Sequence, residues 1–178
     1  MPKLPLTRVT LLVALAWALL LPSTGAASPR LVAADSLEGA VLTKVNEVRR
    51  ARGLRAVASR PELERAAENH ARDMAQNSYF AHEWSSGASF STWIRRYWPG
   101  SGFQGSWSAG ENLYWRGPTI TAGQVVQAWM NSPPHRRNVL MARWRFIGLG
   151  AIEMIDPEGA FSGPSRATVV AAEFGYRS

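Results

Sequence analysis

The chain has 178 residues, 46% of them hydrophobic and 19% charged, the length and balance of one globular domain able to bury a core. It carries a formal charge of +7 and no cysteine, so disulfide scaffolds, thiolate metal sites and cysteine nucleophiles are excluded. No repeat of solenoid or propeller period is visible, and nothing calls for a second domain.

At the N-terminus Lys3 and Arg8 precede an apolar run, Val9 to Leu21, broken only by Thr10, and the small residues Ser23-Thr24-Gly25-Ala26-Ala27 follow it. The run is 13 residues long, whereas a membrane span needs about 20, so residues 1–27 are read as a cleaved export signal. Cleavage leaves 18 basic against 13 acidic side chains, a charge of +5 in which Lys44 is the last lysine. That surplus is read as a solvated, arginine-rich surface and not as a nucleic-acid face. The expected location is outside the cytoplasm, secreted or periplasmic, with no transmembrane span after cleavage and a monomeric state.

Residues 28–36 are expected to be a linker, and residues 37–178 the domain. The first helix carries Leu37, Val41, Leu42, Val45 and Val48 at helical spacing and stops at Gly53. The second opens at Ser59-Arg60-Pro61-Glu62, where the spacing predicts a capping box from Ser59 to Glu62 with Pro61 in the first turn. Its apolar stripe is Leu63, Ala66, Ala67, Ala71, Met74 and Ala75, and His70 lies on that stripe, where a packed, hydrogen-bonded histidine is expected rather than a ligand.

From Tyr79 to Trp115 the chain is dense in aromatics interleaved with glycine, with a short helix expected over Ser89–Trp98 and a loop after Pro99. Most of these rings are expected in the core, and a minority on the loop could line a groove for sugar rings or an acyl chain. A strand over Ala109–Trp115 follows, then a helix over Thr121–Asn131 capped by Thr121 and buried through Val125, Val126, Trp129 and Met130. Strands over Phe146–Met154 and Ala167–Phe174, separated by a turn starting at Asp156-Pro157-Glu158-Gly159, end the pattern.

The chemistry concentrates in three short stretches. In Trp129-Met130-Asn131-Ser132-Pro133-Pro134-His135-Arg136-Arg137-Asn138-Val139-Leu140 a proline break ends one helix and fixes His135 on a stiff corner. His82 follows Tyr79-Phe80-Ala81, and Glu111 lies in Gly110-Glu111-Asn112-Leu113. Two imidazoles and a carboxylate are the minimum for a weak metal site or an acid-base pair, although spacing alone does not bring them together. There is no Gly-x-Ser-x-Gly elbow, no His-Glu-x-x-His and no phosphate-binding glycine loop.

With Ile147-Gly148-Leu149-Gly150 and Phe174-Gly175 added, these motifs stand in an order that resembles the CAP superfamily: the cysteine-rich secretory protein, antigen 5 and pathogenesis-related 1 group, also called SCP domains, in its cysteine-free bacterial branch. The likeness runs from about Leu37 to Tyr176. It implies an α/β (α+β) fold, a three-layer α-β-α sandwich with helices flanking a small central sheet. It also implies a cleft in which His82, Glu111 and His135 take family positions, while the place of a second acid falls at or next to Ser132. Three roles stay open for the cleft: a structural network, a weak site for zinc or another divalent metal with no obligatory cofactor, and catalysis. The function that follows is an exported binding module for a lipid, sterol-like or cell-envelope glycan ligand, the alternative being a metal-assisted hydrolase using the same cleft.

Overall fold

The computed structural model describes residues 29–100 and 105–178; the expected export signal and residues 101–104 lie outside them. Helix α1 spans Asp35–Arg50 and α2 Pro61–Gln76; α3, Phe90–Trp93, continues as a single 3-10 turn, Ile94–Arg96. Strand β3 covers Trp107–Arg116, α4 Ala122–Asn131, α5 Pro133–Leu140, β4 Phe146–Ile155 and β5 Arg166–Arg177. Two short strands, β1 (Arg30–Ala33) and β2 (Ala58–Ser59), complete a sheet ordered β1-β4-β5-β3, with β2 pairing in parallel on β4. Among the described residues no helix is long and apolar enough to cross a membrane.

Period-two alternation along β4 and β5 supplies both faces of the sheet. Ile147, Leu149, Ala151, Val170, Ala172 and Phe174 pack with Val41, Val45, Val125, Trp129 and Val139 of α1, α4 and α5. Ile152, Met154, Val169 and Ala171 point the other way, onto Ala67, Ala71, Met74 and Ala75 of α2. The result is the expected three-layer sandwich, with α2 alone covering most of one face. The expected stripe of α2 is fully buried throughout.

Helix α2 lies so close to β4 that two positions of the strand admit no side chain. A Cβ at Gly148 would overlap the backbone of Leu63 and Glu64, and one at Gly150 the backbone of Ala67 and Glu68. Glycine is required there for clearance, not for an unusual dihedral.

Three local expectations are corrected. Residues Arg30–Ala33, expected within the linker, form an antiparallel edge strand on Ile152–Ile155, and α1 begins at Asp35, two residues before the expected domain start. The capping box at Ser59 does not form: the N-cap of α2 is Arg60, without a side-chain cap, Ser59 reaches Glu64 instead, and Glu62 pairs with Arg60 at 3.0 Å. Pairing of Ala58 and Ser59 with β4 draws Ser59 into the sheet and away from the helix end. The helix expected over Ser89–Trp98 is one α turn followed by the 3-10 turn. Thr121, by contrast, caps α4 in a complete box with Gln124.

Trp129 is fully buried in α4 and its indole Nε1 donates to the Leu113 carbonyl at 3.0 Å. Trp129→Ala should cost about 3–5 kcal/mol, read as the loss of unfolding free energy in urea melts. Gly150→Ala, which adds one methyl against the α2 backbone, should cost about 1–3 kcal/mol in the same melts, whereas Gly123→Ala, whose Cβ would make only an ordinary 3.9 Å contact with Thr121 Oγ1, should cost nothing.

Candidate functional site

Glu111 sits in the middle of β3 on the face covered by α2, and its carboxylate is 1% exposed. A buried carboxylate is tolerated only when hydrogen-bonded or neutralised. Both of its oxygens are taken by imidazoles: His70 Nδ1 lies 2.6 Å from Oε1, and His82 Nδ1 lies 2.5 Å from Oε2. His70 comes from the buried stripe of α2, whose close approach to the sheet brings it within reach. His82 comes from the loop after α2 and is half exposed, its side chain retaining 52% of its accessible surface.

His70 is packed and hydrogen-bonded as expected, but its partner is the site carboxylate itself, so the expectation that it stands apart from the site is overturned. Its ring stacks 5.5 Å from Trp84 and lies 4.7 Å from Trp93. Trp93 in turn donates its indole N–H to the His82 carbonyl at 3.1 Å, so both histidines rest on the same aromatic platform.

Glu173 is the residue sequence reasoning missed. It stands directly opposite Glu111 in the β3–β5 ladder and is wholly buried. A single carboxylate in the apolar run Val169-Val170-Ala171-Ala172-Glu173-Phe174 was the available signal, since a charged group in a central strand has nowhere to go but inside.

His135 enters from the opposite side of the sheet. On α5, its backbone carbonyl accepts from Asn112 Nδ2 at 3.0 Å, and Asn138 one turn on donates to the Glu111 carbonyl at 2.9 Å and to Asn112 Oδ1 at 3.0 Å. These bonds lock α5 onto β3, whose outer edge has no strand partner in the sheet. The ring of His135 makes no hydrogen bond among the described residues, and the charges of His82 and Glu111 reach it through space. The structure therefore joins His82 and Glu111 directly, and places His135 beside them without contact. Ser132, at the place of a second acid, is the N-cap of α5 and makes no capping bond with its side chain.

The electrostatics follow the geometry. The hydrogen bond with Glu111 raises the His82 pKa above 6.5, against a smaller opposing effect of burial. Burial lowers that of His135, helped by the nearby His82. For Glu111, burial works upward, but the bonds from His70 and His82 outweigh it and hold the group ionised. Glu173 is pushed well up by burial and by the Glu111 charge, and so keeps its proton.

Comparison with known proteins places the chain in a family. Residues 42–155 match the family model described as the cysteine-rich secretory protein family, CAP. The uncharacterized protein YkwD of Bacillus subtilis is 30% identical over 119 residues, 67% of this chain, which in turn spans 44% of that relative's length. An outer surface protein of Borrelia burgdorferi superposes with a TM-score of 0.68 at 19% identity, covering 84% of this chain and 99% of that one. An extracellular protein containing an SCP domain from Bacillus anthracis superposes with a TM-score of 0.61 at 22% identity, covering 80% of this chain and 41% of that one. The sequence match over more than half of the chain and the shared sandwich lead to one conclusion: the chain belongs to the cysteine-rich secretory protein, or CAP, family.

Proposed function

We propose that the protein is an extracytoplasmic binding module, not an enzyme, and that its ligand is a lipid or another anionic amphiphile of the cell envelope. The observation that carries this reading is the saturation of Glu111. With each oxygen held by an imidazole, the carboxylate ties α2, the following loop and β3 together and has no free lone pair directed at a substrate. No residue beside it is an activated nucleophile. The leader-like N-terminus supports export, as do the outer-surface and extracellular relatives.

An open groove of about 560 Å³ lies on the outer side of α5, lined by Met130, Pro133, Leu140 and Met141 together with Arg136 and Arg137. Neither guanidinium forms a hydrogen bond or ion pair among the described residues. Apolar walls with adaptable methionines and two unpaired guanidinium groups suit a chain with an anionic head. A cell-envelope glycan is the second ligand class, and it would use the aromatic loop instead.

A divalent metal fits the cleft weakly. His82 presents Nδ1 to Glu111, which leaves Nε2 for a metal, the usual arrangement of a carboxylate behind a ligating histidine. His135, whose lowered pKa keeps it neutral, would supply a second nitrogen. Glu111 then orients His82 and is not itself a ligand, and Ser132 adds no carboxylate. The bound ion would supply Lewis acidity, and this pair backed by Glu111 is the feature that favours the alternative of a metal-assisted hydrolase.

Four measurements bear on these readings. In NMR titrations His82 should titrate above 6.5 and His135 below it, and Glu111→Gln should bring the His82 midpoint down. The raised His82 value stabilises the fold fully below 6.5 and ceases to as pH climbs through the folded value; the depressed Glu111 value stabilises above 4.5 and ceases to as pH falls through its folded value. Wild type and Glu111→Gln should therefore differ most in urea melts between those limits. For the ligand, palmitate should bind wild type and the His82→Ala, His135→Ala double variant equally, and should bind Arg136→Ala, Arg137→Ala about tenfold more weakly, a loss of about 1.4 kcal/mol. Turnover of peptide, ester or glycan libraries that vanishes in the histidine double variant would establish the hydrolase instead.

A further inference from the structure

Behind the cleft, His70 and Glu111 belong to a cluster completed by Glu173, a residue that the binding reading does not use. One ligand atom each from His70, Glu111 and Glu173 falls within 4.8 Å of the other two, and all three residues are buried. Neither oxygen of Glu173 meets a donor from another residue in hydrogen-bonding geometry. The Glu111 carboxylate beside it is itself an acceptor, so a shared proton or a cation is needed to join the two. His70 turns Nδ1 to Glu111 Oε1 at 2.6 Å and Nε2 toward the Glu83 carbonyl oxygen at 3.4 Å. In the tautomer with its N–H on Nε2, Nδ1 offers a lone pair to a cation lying between it and Glu111.

We propose that His70, Glu111 and Glu173 form a buried site for a divalent cation of the zinc or manganese class, distinct from the His82 and His135 cleft. One nitrogen and two carboxylates are a borderline-to-hard donor set suited to those ions, with the remaining position open to water. A dication would take Glu111 and Glu173 as carboxylates and His70 through a bare Nδ1, with the ring N–H on Nε2 facing the Glu83 carbonyl, so that two carboxylates neutralise one dication and the proton of a neutral Glu173 is released.

Two ligands on a tetrahedral zinc with bonds of about 2.0–2.1 Å stand about 3.3 Å apart, so His70 and Glu111 must separate by less than about 1 Å, and Glu173, within 4.8 Å of both, must approach by up to about 1.5 Å. Oε2 of Glu111 stays on His82, and the half-exposed His82 marks the way in from solvent. Glu173 sits on the central strand with Ala171 and Val169 on the same face, so the site rests on the rigid part of the sheet.

The test is equilibrium dialysis of metal-free protein against zinc, with wild type, Glu173→Gln, His70→Gln and His135→Ala compared by elemental analysis. Wild type and His135→Ala should take up one zinc per chain. Glu173→Gln and His70→Gln should bind about tenfold or more weakly. The site also has its own optical reporter: with Trp84 and Trp93 against His70, cobalt(II) in this position should quench tryptophan emission in wild type and His135→Ala, but not in Glu173→Gln. Uptake lost in His135→Ala and kept in Glu173→Gln would assign the metal to the outer cleft and overturn the proposal. So would a wild type that takes up no zinc. If neither inner variant folds, cobalt(II) quenching in wild type and in His135→Ala decides, and its absence from both overturns the site. Palmitate binding should be untouched in Glu173→Gln, so failure of this site and failure of the ligand reading are separate results.

Discussion

A carboxylate placed inside the sandwich organises the rest of the site. Taking Glu111 out of water would cost several kcal/mol if nothing replaced its hydration, and the chain meets that demand from two segments at once, α2 through His70 and the loop after it through His82, with Glu173 of β5 standing opposite. Each partner needs the others in place. His70 reaches the sheet because Gly148 and Gly150 let α2 settle against β4, and His82 is positioned by a carbonyl that Trp93 holds. The candidate cleft is thus the outer end of a structural device, with His82 sharing a carboxylate with the core.

The same logic shows how a domain without disulfides is braced. Arg49 of α1 is fully buried and has no carboxylate partner; it donates instead to the carbonyls of Arg55, Val139 and Met141, the last two at the end of α5. Carbonyls at a helix C-terminus are otherwise unsatisfied and carry partial negative charge, so the guanidinium finds its compensation there. Asn112 and Asn138 do the same between β3 and α5. These polar cross-braces connect elements distant in sequence, which is where a cystine would otherwise act.

What could be read from the sequence was what depends on near neighbours. The stripes of α1 and α2, the Thr121 cap and the two long strands are written in periods of a few residues, and all are present. The Ser59 capping box was a local signal that lost to a tertiary one, pairing of Ala58 and Ser59 with β4. Arg30–Ala33 looked like linker because an edge strand of four residues has no periodicity to display. The motif resemblance identified His82, Glu111 and His135, but not their division of labour, because contact between His70 and Glu111 spans 41 positions and the opposition of Glu111 and Glu173 is a matter of register. A histidine on an apolar stripe says only that it is buried. Which acceptor it meets is decided by how closely a helix packs on a sheet.

The strand order has a consequence for how the chain acquires its structure. Strands β3 and β4 do not pair with each other; both pair with β5, so the middle of the sheet is contributed by residues 166–177, the last strand in the described chain. Until that segment is available, β3 has no partner, α5 has no fixed surface beneath it, and Glu111 lacks the wall that shields it from water. Contacts of such long sequence separation slow folding, because loops must close before any pairing rewards them. Strands β1 and β2 can pair with β4 without it, but β3 joins the rest of the sheet only through that segment.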